Sequence, residues 1–79
     1  MRRTEVVVRP GGHITASGDL TSQGADLLRG TAAQLRGSGH TRVVVDLRGL
    51  RTADDEAVAA LRELHRDFRV DGGELLIRG

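Results

Sequence analysis

Apolar residues fall into short runs separated by turn residues, and their spacing predicts six elements in the order β, β, α, β, α, β. Short β-branched or alternating runs bounded by glycine are typical of strands. They predict four strands: Glu5–Arg9, His13–Ser17, Arg42–Asp46 and Glu74–Arg78. Helical spacing of apolar residues predicts two helices, from about Ser22 to Arg36 and from about Asp54 to Arg69.

Turn and cap residues mark the ends of these elements. Pro10-Gly11-Gly12 and Asp71-Gly72-Gly73 predict turns, and Gly37-Ser38-Gly39 ends the first helix. Thr21 is the predicted N-cap of that helix, since threonine favours this position. Two further glycines, Gly24 and Gly30, each weaken the first helix by about 1 kcal/mol relative to alanine.

The apolar stripes of the two helices predict the faces that pack on the sheet. In the first helix the stripe consists of Leu28, Thr31, Ala32 and Leu35. In the second helix it consists of Ala57, Val58, Leu61, Leu64 and Phe68. Strands that alternate with helices predict right-handed parallel crossovers, here preceded by an antiparallel hairpin. We therefore expect one α/β domain over residues 1–79, with a small four-stranded mixed sheet and two main helices.

We expect Arg42–Asp46 and Glu74–Arg78 to be the two inner strands of the sheet. Both have apolar residues on both faces, which is typical of a sheet covered on both sides. Two helices suffice to cover only one face. We expect Val7, Val44 and Leu76, or the residues of opposite parity, to form an uncovered patch that is buried in a homodimer or by another partner. The competing interpretation is an ordinary small surface patch.

Composition narrows the class of protein. Twelve arginines against eleven acids give a net charge of +1, and Phe68 is the only aromatic residue, so nucleic-acid binding is disfavoured. No cysteine is present, which excludes disulfides. No apolar run approaches the roughly 20 residues that cross a bilayer. We expect a cytoplasmic protein without direct membrane insertion.

Candidate catalytic and metal-binding residues are sparse. His13, His40 and His65 lie far apart without ligand spacing, so no metal site is expected. Asp54 and Asp55 are adjacent at a helix start and point in different directions, which disfavours an acid–base pair. Gly11-Gly12 is too short for a phosphate-binding loop. The sequence predicts no cofactor and no enzymatic activity.

Three motifs occur in a characteristic order: Ser17-Gly18-Asp19-Leu20-Thr21, Asp46-Leu47-Arg48-Gly49-Leu50 with Asp54, and Gly72-Gly73-Glu74-Leu75-Leu76-Ile77. Together they resemble the STAS domain family of anti-sigma factor antagonists (anti-anti-sigma factors), and the resemblance covers nearly the whole chain. It implies the ββαβαβ fold deduced above. The family normally continues past the last strand with another helix, so we expect a form in which this C-terminal helix is missing.

The resemblance also implies a functional position. In the family, a serine at the start of the second helix is phosphorylated by a partner anti-sigma kinase, and the added charge disrupts the complex. Here Asp55 occupies that switch position. Asp55 either mimics the modified state weakly or contacts a partner that has adapted to a constant charge. The simpler interpretation is that Asp54, Asp55 and Glu56 only stabilise the helix start, by roughly 0.3–1 kcal/mol each. Ala57 replaces the glycine usual in the family, which disfavours close approach of a partner to the backbone.

The expected binding surface comprises the loop Gly18–Ser22, the connection Arg48–Ala53 and the start of the second helix. Its candidate contact residues are Asp19, Thr21, Ser22, Arg51, Thr52, Asp54, Asp55, Glu56 and Val58. Thr52, Thr21 and Ser22 are alternative phosphorylation sites or, more simply, caps.

The resemblance implies a serine-kinase-type anti-sigma factor as the partner and a role in partner switching, hence in transcription regulation in bacteria. A second role is that of a regulatory or structural subunit of a membrane transport complex for lipids or anions, bound to its ATPase or permease. A nucleotide-binding module is a third possibility, but no stacking aromatic or phosphate cradle supports it.

Overall fold

All six predicted elements are present, in the predicted order, in the computed structural model, which describes residues 2–79. They are β1 (Thr4–Arg9), β2 (His13–Leu20), α1 (Ser22–Gly37), β3 (Arg42–Ala53), α2 (Asp55–Val70) and β4 (Glu74–Arg78). The predicted α/β class and both helices are confirmed. The predicted N-cap of α1 is also confirmed, because the Thr21 hydroxyl accepts a 3.1 Å hydrogen bond from the Gly24 amide.

The four strands form one mixed sheet in the order β1-β2-β3-β4. The prediction that β4 is an inner strand is wrong, since β2 and β3 are the inner strands and β4 lies at the edge. β1 and β2 pair antiparallel through the predicted hairpin, in which Gly11 and Gly12 adopt positive φ angles. β2, β3 and β4 run parallel, as two βα crossovers require. The carboxyl ends of β2 and β3 therefore lie at the same edge of the sheet.

Both helices pack on one face of this sheet, and the core lies between the two layers. The sheet contributes Ile14, Ala16, Val43, Val45 and Leu75, all nearly or fully buried. The helices contribute Ala25, Leu28, Ala32, Ala57, Leu61, Leu64 and Phe68. Val58, predicted on the same stripe of α2, is only half-buried.

The opposite face of the sheet is not covered by a helix within the described chain. It carries Val7, which is 49% exposed, and the half-buried pair Val44 and Leu76. Val7 pairs with Thr15 of β2, whereas Val44 pairs with His13, two residues earlier in β2. The polar side chains of these two β2 residues therefore interrupt the apolar surface. Of the two sets of residues considered, Val7, Val44 and Leu76 therefore lie on the uncovered face. The burial of this face in a dimer or by another partner stays a prediction.

β3 differs most from the sequence prediction. The strand was expected to end at Asp46 and to be followed by a connection over Arg48–Ala53, but it continues to Ala53. β2 likewise extends to Leu20 instead of Ser17, so only Thr21 separates it from α1. The pairing of β2 with β3 shifts between Thr15 and Ser17 and again between Gly18 and Asp19. These bulges break the alternation of apolar residues from which a strand is predicted.

Gly49, in the bulged part of β3, allows the close approach of β2. A Cβ atom at this position would lie 3.0 Å from the Cβ of Ser17 and 3.4 Å from the Ala16 carbonyl oxygen. The glycine of the Asp46–Leu50 motif therefore serves packing between strands.

Candidate functional site

The carboxyl ends of β2 and β3 meet the N-termini of α1 and α2 at one edge of the sheet. Leu20 pairs with Ala53, and the Leu20 carbonyl accepts a 3.0 Å hydrogen bond from the Asp54 amide. This edge is where open α/β sheets commonly place binding sites. We call it the carboxyl-end surface, and it holds eight predicted contact residues: Asp19, Thr21, Ser22, Arg51, Thr52, Asp54, Asp55 and Glu56. Val58 follows one turn into α2.

Asp19 is fixed by two residues of β3. Its carboxylate accepts a 2.8 Å hydrogen bond from the Thr52 hydroxyl and lies 3.4 Å from the Arg51 guanidinium. The Thr52 hydrogen bond, more than the charge of Arg51, holds the pKa of Asp19 below its ordinary value, against the opposing effect of partial burial. The interpretation of Thr52 as a helix cap in a loop is wrong, since Thr52 lies within β3 and binds Asp19.

Asp54 is the N-cap residue of α2, yet its side chain makes no capping hydrogen bond. Its carboxylate instead accepts a hydrogen bond from the guanidinium of Arg2. The Asp54 side chain therefore does not cap the helix through a hydrogen bond, although its charge lies near the helix N-terminus. Arg2 neutralises one of the three consecutive acids.

Asp55 is the first residue of α2, and its side chain is exposed. Glu56 is also exposed, and within residues 2–79 neither side chain has a hydrogen-bond or ion-pair partner. Unpaired amide groups of the first turn favour negative charge here, which offsets the repulsion between neighbouring carboxylates. The predicted switch position thus presents an exposed carboxylate.

The start of α1 is held by a residue that the sequence prediction missed. The Thr4 hydroxyl donates to the Asp19 carbonyl and accepts a 3.3 Å hydrogen bond from the Thr21 amide. The Thr21 hydroxyl accepts a hydrogen bond from the Gly24 amide, so both polar groups of Thr21 are hydrogen-bonded within the fold. Ser22, by contrast, is exposed. Arg2 and Thr4 were missed because each contacts residues that lie far along the chain.

Asp46 and Arg48, in the middle of β3, form a second polar cluster away from the carboxyl-end surface. The Asp46 carboxylate accepts hydrogen bonds from the Arg48 amide at 3.0 Å and from its guanidinium at 2.8 Å. These bonds lower the pKa of Asp46 to about 2. The aspartate of the motif therefore binds Arg48 beside the first bulge of β3.

Neither helix in residues 2–79 is long and apolar enough to span a bilayer. The carboxyl-end surface combines the exposed carboxylates of α2 with the fixed Asp19–Thr52–Arg51 cluster.

Solved structures establish the class of fold. The chain superposes on the anti-sigma factor antagonist SpoIIAA in its unphosphorylated form with a TM-score of 0.67 at 14% identity, covering 95% of this chain and 71% of that one. A STAS-domain anti-sigma factor antagonist from Rhodobacter sphaeroides gives 0.60 at 20% identity, with 98% and 85% covered. The crystal structure of Mglu gives a TM-score of 0.70 at 21% identity over 95% of this chain, which spans only 19% of that protein.

The family follows from the sequence itself. The family model described as "Mlab, STAS domain" matches residues 7–79, so the chain belongs to the STAS domain family, as the three motifs indicated. No curated protein sequence matches significantly.

Proposed function

We propose that this protein is a non-enzymatic binding module, similar to an anti-sigma factor antagonist, that captures its partner through the carboxyl-end surface without a phosphorylatable serine at position 55. It acts as one domain in the cytoplasm. The observation that carries the proposal is the exposed Asp55 at the first residue of α2, beside the start of α1. Support for the class comes from family membership and from the likeness in fold to two anti-sigma factor antagonists.

Charge defines the chemistry of the partner. Arg2 neutralises Asp54, whereas Asp55 and Glu56 have no cationic partner among the described residues. A docked protein that covered these two carboxylates without a cation would pay a large desolvation penalty. The partner therefore contributes an arginine or lysine opposite the start of α2, as an anti-sigma factor adapted to a constant charge would.

A matched set of variants tests this proposal against the candidate anti-sigma factor encoded nearest to the gene. Asp55→Lys places a cation against the partner's cation and should weaken capture by about tenfold or more. Asp55→Ser should weaken it less and make capture sensitive to kinase and ATP. Asp67→Lys, at the exposed far end of α2, is the control with the same charge change. If Asp55→Lys binds as tightly as Asp67→Lys, the carboxyl-end surface is not the contact.

The constant charge at position 55 also favours a second role. A carboxylate gives no reversible switch, and an unswitched contact suits a permanent subunit such as the STAS component of a membrane transport complex. In that case the same surface packs on the ATPase or permease. If the protein co-purifies with a transporter ATPase in fixed stoichiometry, and Asp55→Lys abolishes this co-purification, the result would favour the transport role over partner switching.

A further inference from the structure

β4 is an edge strand, and its outer side has no neighbouring strand within residues 2–79. The Glu74 amide donates a 2.8 Å hydrogen bond to the Thr41 carbonyl oxygen, so Glu74 faces β3. Backbone groups alternate in direction along a strand in a parallel ladder, so the amides and carbonyls of Leu75 and Ile77 point away from the sheet. These groups form an open template for another strand.

A groove runs between this edge and α2. Two adjoining depressions of about 500 and 490 Å³ share His65, Leu75 and Leu76 as lining residues. The first is also lined by Arg69 and Gly72–Glu74, and the second by Arg62 and Ile77. The one acid in this lining, Glu74, forms a 3.0 Å ion pair with Arg42. Ile77 is 41% exposed here. We call this feature the β4 groove.

The helical wall of the β4 groove is basic. Arg62, His65, Arg66 and Arg69 are spaced so that they lie along one stripe of α2. Within the described chain, none of the three arginines forms an ion pair. The neighbouring acid Glu63 lies on another side of the helix, where it accepts a 3.0 Å hydrogen bond from Arg29 of α1. Over residues 62–69 the stripe beside the open strand edge is therefore basic, and Asp55, which continues this stripe, lies two turns away at the start of α2.

We propose that the β4 groove binds an acidic extended segment of a partner protein, which adds as a fifth strand beside β4. Main-chain hydrogen bonds to Leu75 and Ile77 supply affinity, and alternate acidic side chains of the segment meet the arginines of α2. Intervening apolar side chains of the segment pack beside Leu76. This contact is separate from the carboxyl-end surface.

Other polyanions and a second copy fit the β4 groove less well. Single-stranded nucleic acid needs stacking partners, but Phe68, the only aromatic residue, is 3% exposed. A second copy does not offer an extended acidic strand. The acids Asp54–Glu56 begin a helix, and the other edge strand, β1, carries one acid and one arginine.

The test uses a fluorescent peptide of alternating glutamate and valine, followed by anisotropy and by amide shifts in NMR. Binding should perturb the amides of Leu75 and Ile77. The double change Arg62→Glu with Arg69→Glu should weaken binding by about tenfold or more, whereas Arg9→Glu, an exposed arginine on the opposite edge strand, should change it little. Ile77→Pro, which removes an outward amide from the edge strand, should also weaken binding with the basic stripe intact.

Any of several results would overturn the proposal. These are equal binding of the same peptide with a central proline, tighter binding of a single-stranded oligonucleotide, or no effect of the two charge reversals. Amide shifts confined to the carboxyl-end surface would do the same, as would light scattering that shows the groove variants abolishing a homodimer. Circular dichroism of each variant separates loss of binding from loss of fold. Because Asp55 is not varied, failure here leaves the proposed function untouched.

Discussion

Thr52 and Asp19 lie opposite each other on the parallel strands β3 and β2, and the Thr52 hydroxyl donates a 2.8 Å hydrogen bond to the Asp19 carboxylate. The contact sits where both strands end, beneath the starts of α1 and α2. It therefore fixes the strand ends from which both helices depart.

Replacing Thr52 with valine keeps the shape of the side chain and removes the donor. The pKa of Asp19 should rise toward its ordinary value, since the Thr52 hydrogen bond is the largest cause of its lowering. A group whose pKa is lowered by folding stabilises the fold above its unfolded pKa, and this contribution is lost as pH falls through the folded pKa. Thr52→Val should thus be less stable near neutral pH, with the difference vanishing in acid.

Carbon-detected NMR titration of Asp19 measures this shift directly. Thr31→Val is the control, because the Thr31 hydroxyl donates to the Leu27 carbonyl and contacts no carboxylate. An unchanged pKa of Asp19 in Thr52→Val would show that the hydrogen bond is not formed in solution.

Arg48 has the same kind of effect on Asp46. Folding lowers the pKa of Asp46 from 3.8 to about 2 through hydrogen bonds from Arg48. Arg48→Gln removes the guanidinium, so the pKa should rise and stability should fall at pH above 3.8. The difference from the parent protein should shrink as pH falls toward 2. Urea unfolding across this range tests the prediction, with Arg66→Gln as the exposed control; parallel pH profiles for both variants would contradict it.

Two glycines of α1 should respond in opposite ways to alanine. A Cβ atom at Gly24 would lie 2.1 Å from the Thr4 hydroxyl oxygen and 2.5 Å from the Thr4 Cβ, so Gly24→Ala should destabilise the protein by about 1–3 kcal/mol. Gly30 faces open space, and Gly30→Ala should stabilise it by about 0.5–1 kcal/mol. Chemical denaturation of both variants gives the comparison, and equal effects would refute the close approach of Thr4.

Arg36 of α1 joins the two helices at the end opposite the carboxyl-end surface. Its guanidinium donates a 2.6 Å hydrogen bond to the Asp71 carbonyl and lies 5.3 Å from the centre of the Phe68 ring. Lysine lacks the planar fork that serves both contacts, so Arg36→Lys should cost about 1 kcal/mol of unfolding free energy. Arg29→Lys, at an exposed ion pair, should cost little. Similar losses in the two variants would contradict this role of Arg36.

The fold was predictable where local pattern and tertiary structure agree. Helical spacing in α2 and the capping threonine at α1 are local signals, and both predicted the structure correctly. The second half of β3 was missed because bulges at Leu47–Arg48 and near Arg51 remove the alternation that marks a strand.

The arrangement of the candidate site was only partly predictable. The family motifs predicted that Asp19 and Asp55 lie on the same surface. No local signal, however, links Arg2 to Asp54 or Thr4 to the start of α1. Such contacts depend on how β1 enters the sheet. The predicted cost of Gly24 was likewise incomplete, because the close approach of Thr4 is visible only in three dimensions.

Site-specific photo-crosslinking from position 55 in cells shows whether a partner contacts the carboxyl-end surface. A photoreactive side chain replaces Asp55 in one strain and Asp67, at the far end of the same helix, in another. We expect one dominant crosslinked partner from position 55, identified by mass spectrometry as an anti-sigma factor or a transporter ATPase or permease, and none from position 67. The same crosslinked proteins from both positions, or none from position 55 while the protein stays folded, would contradict it.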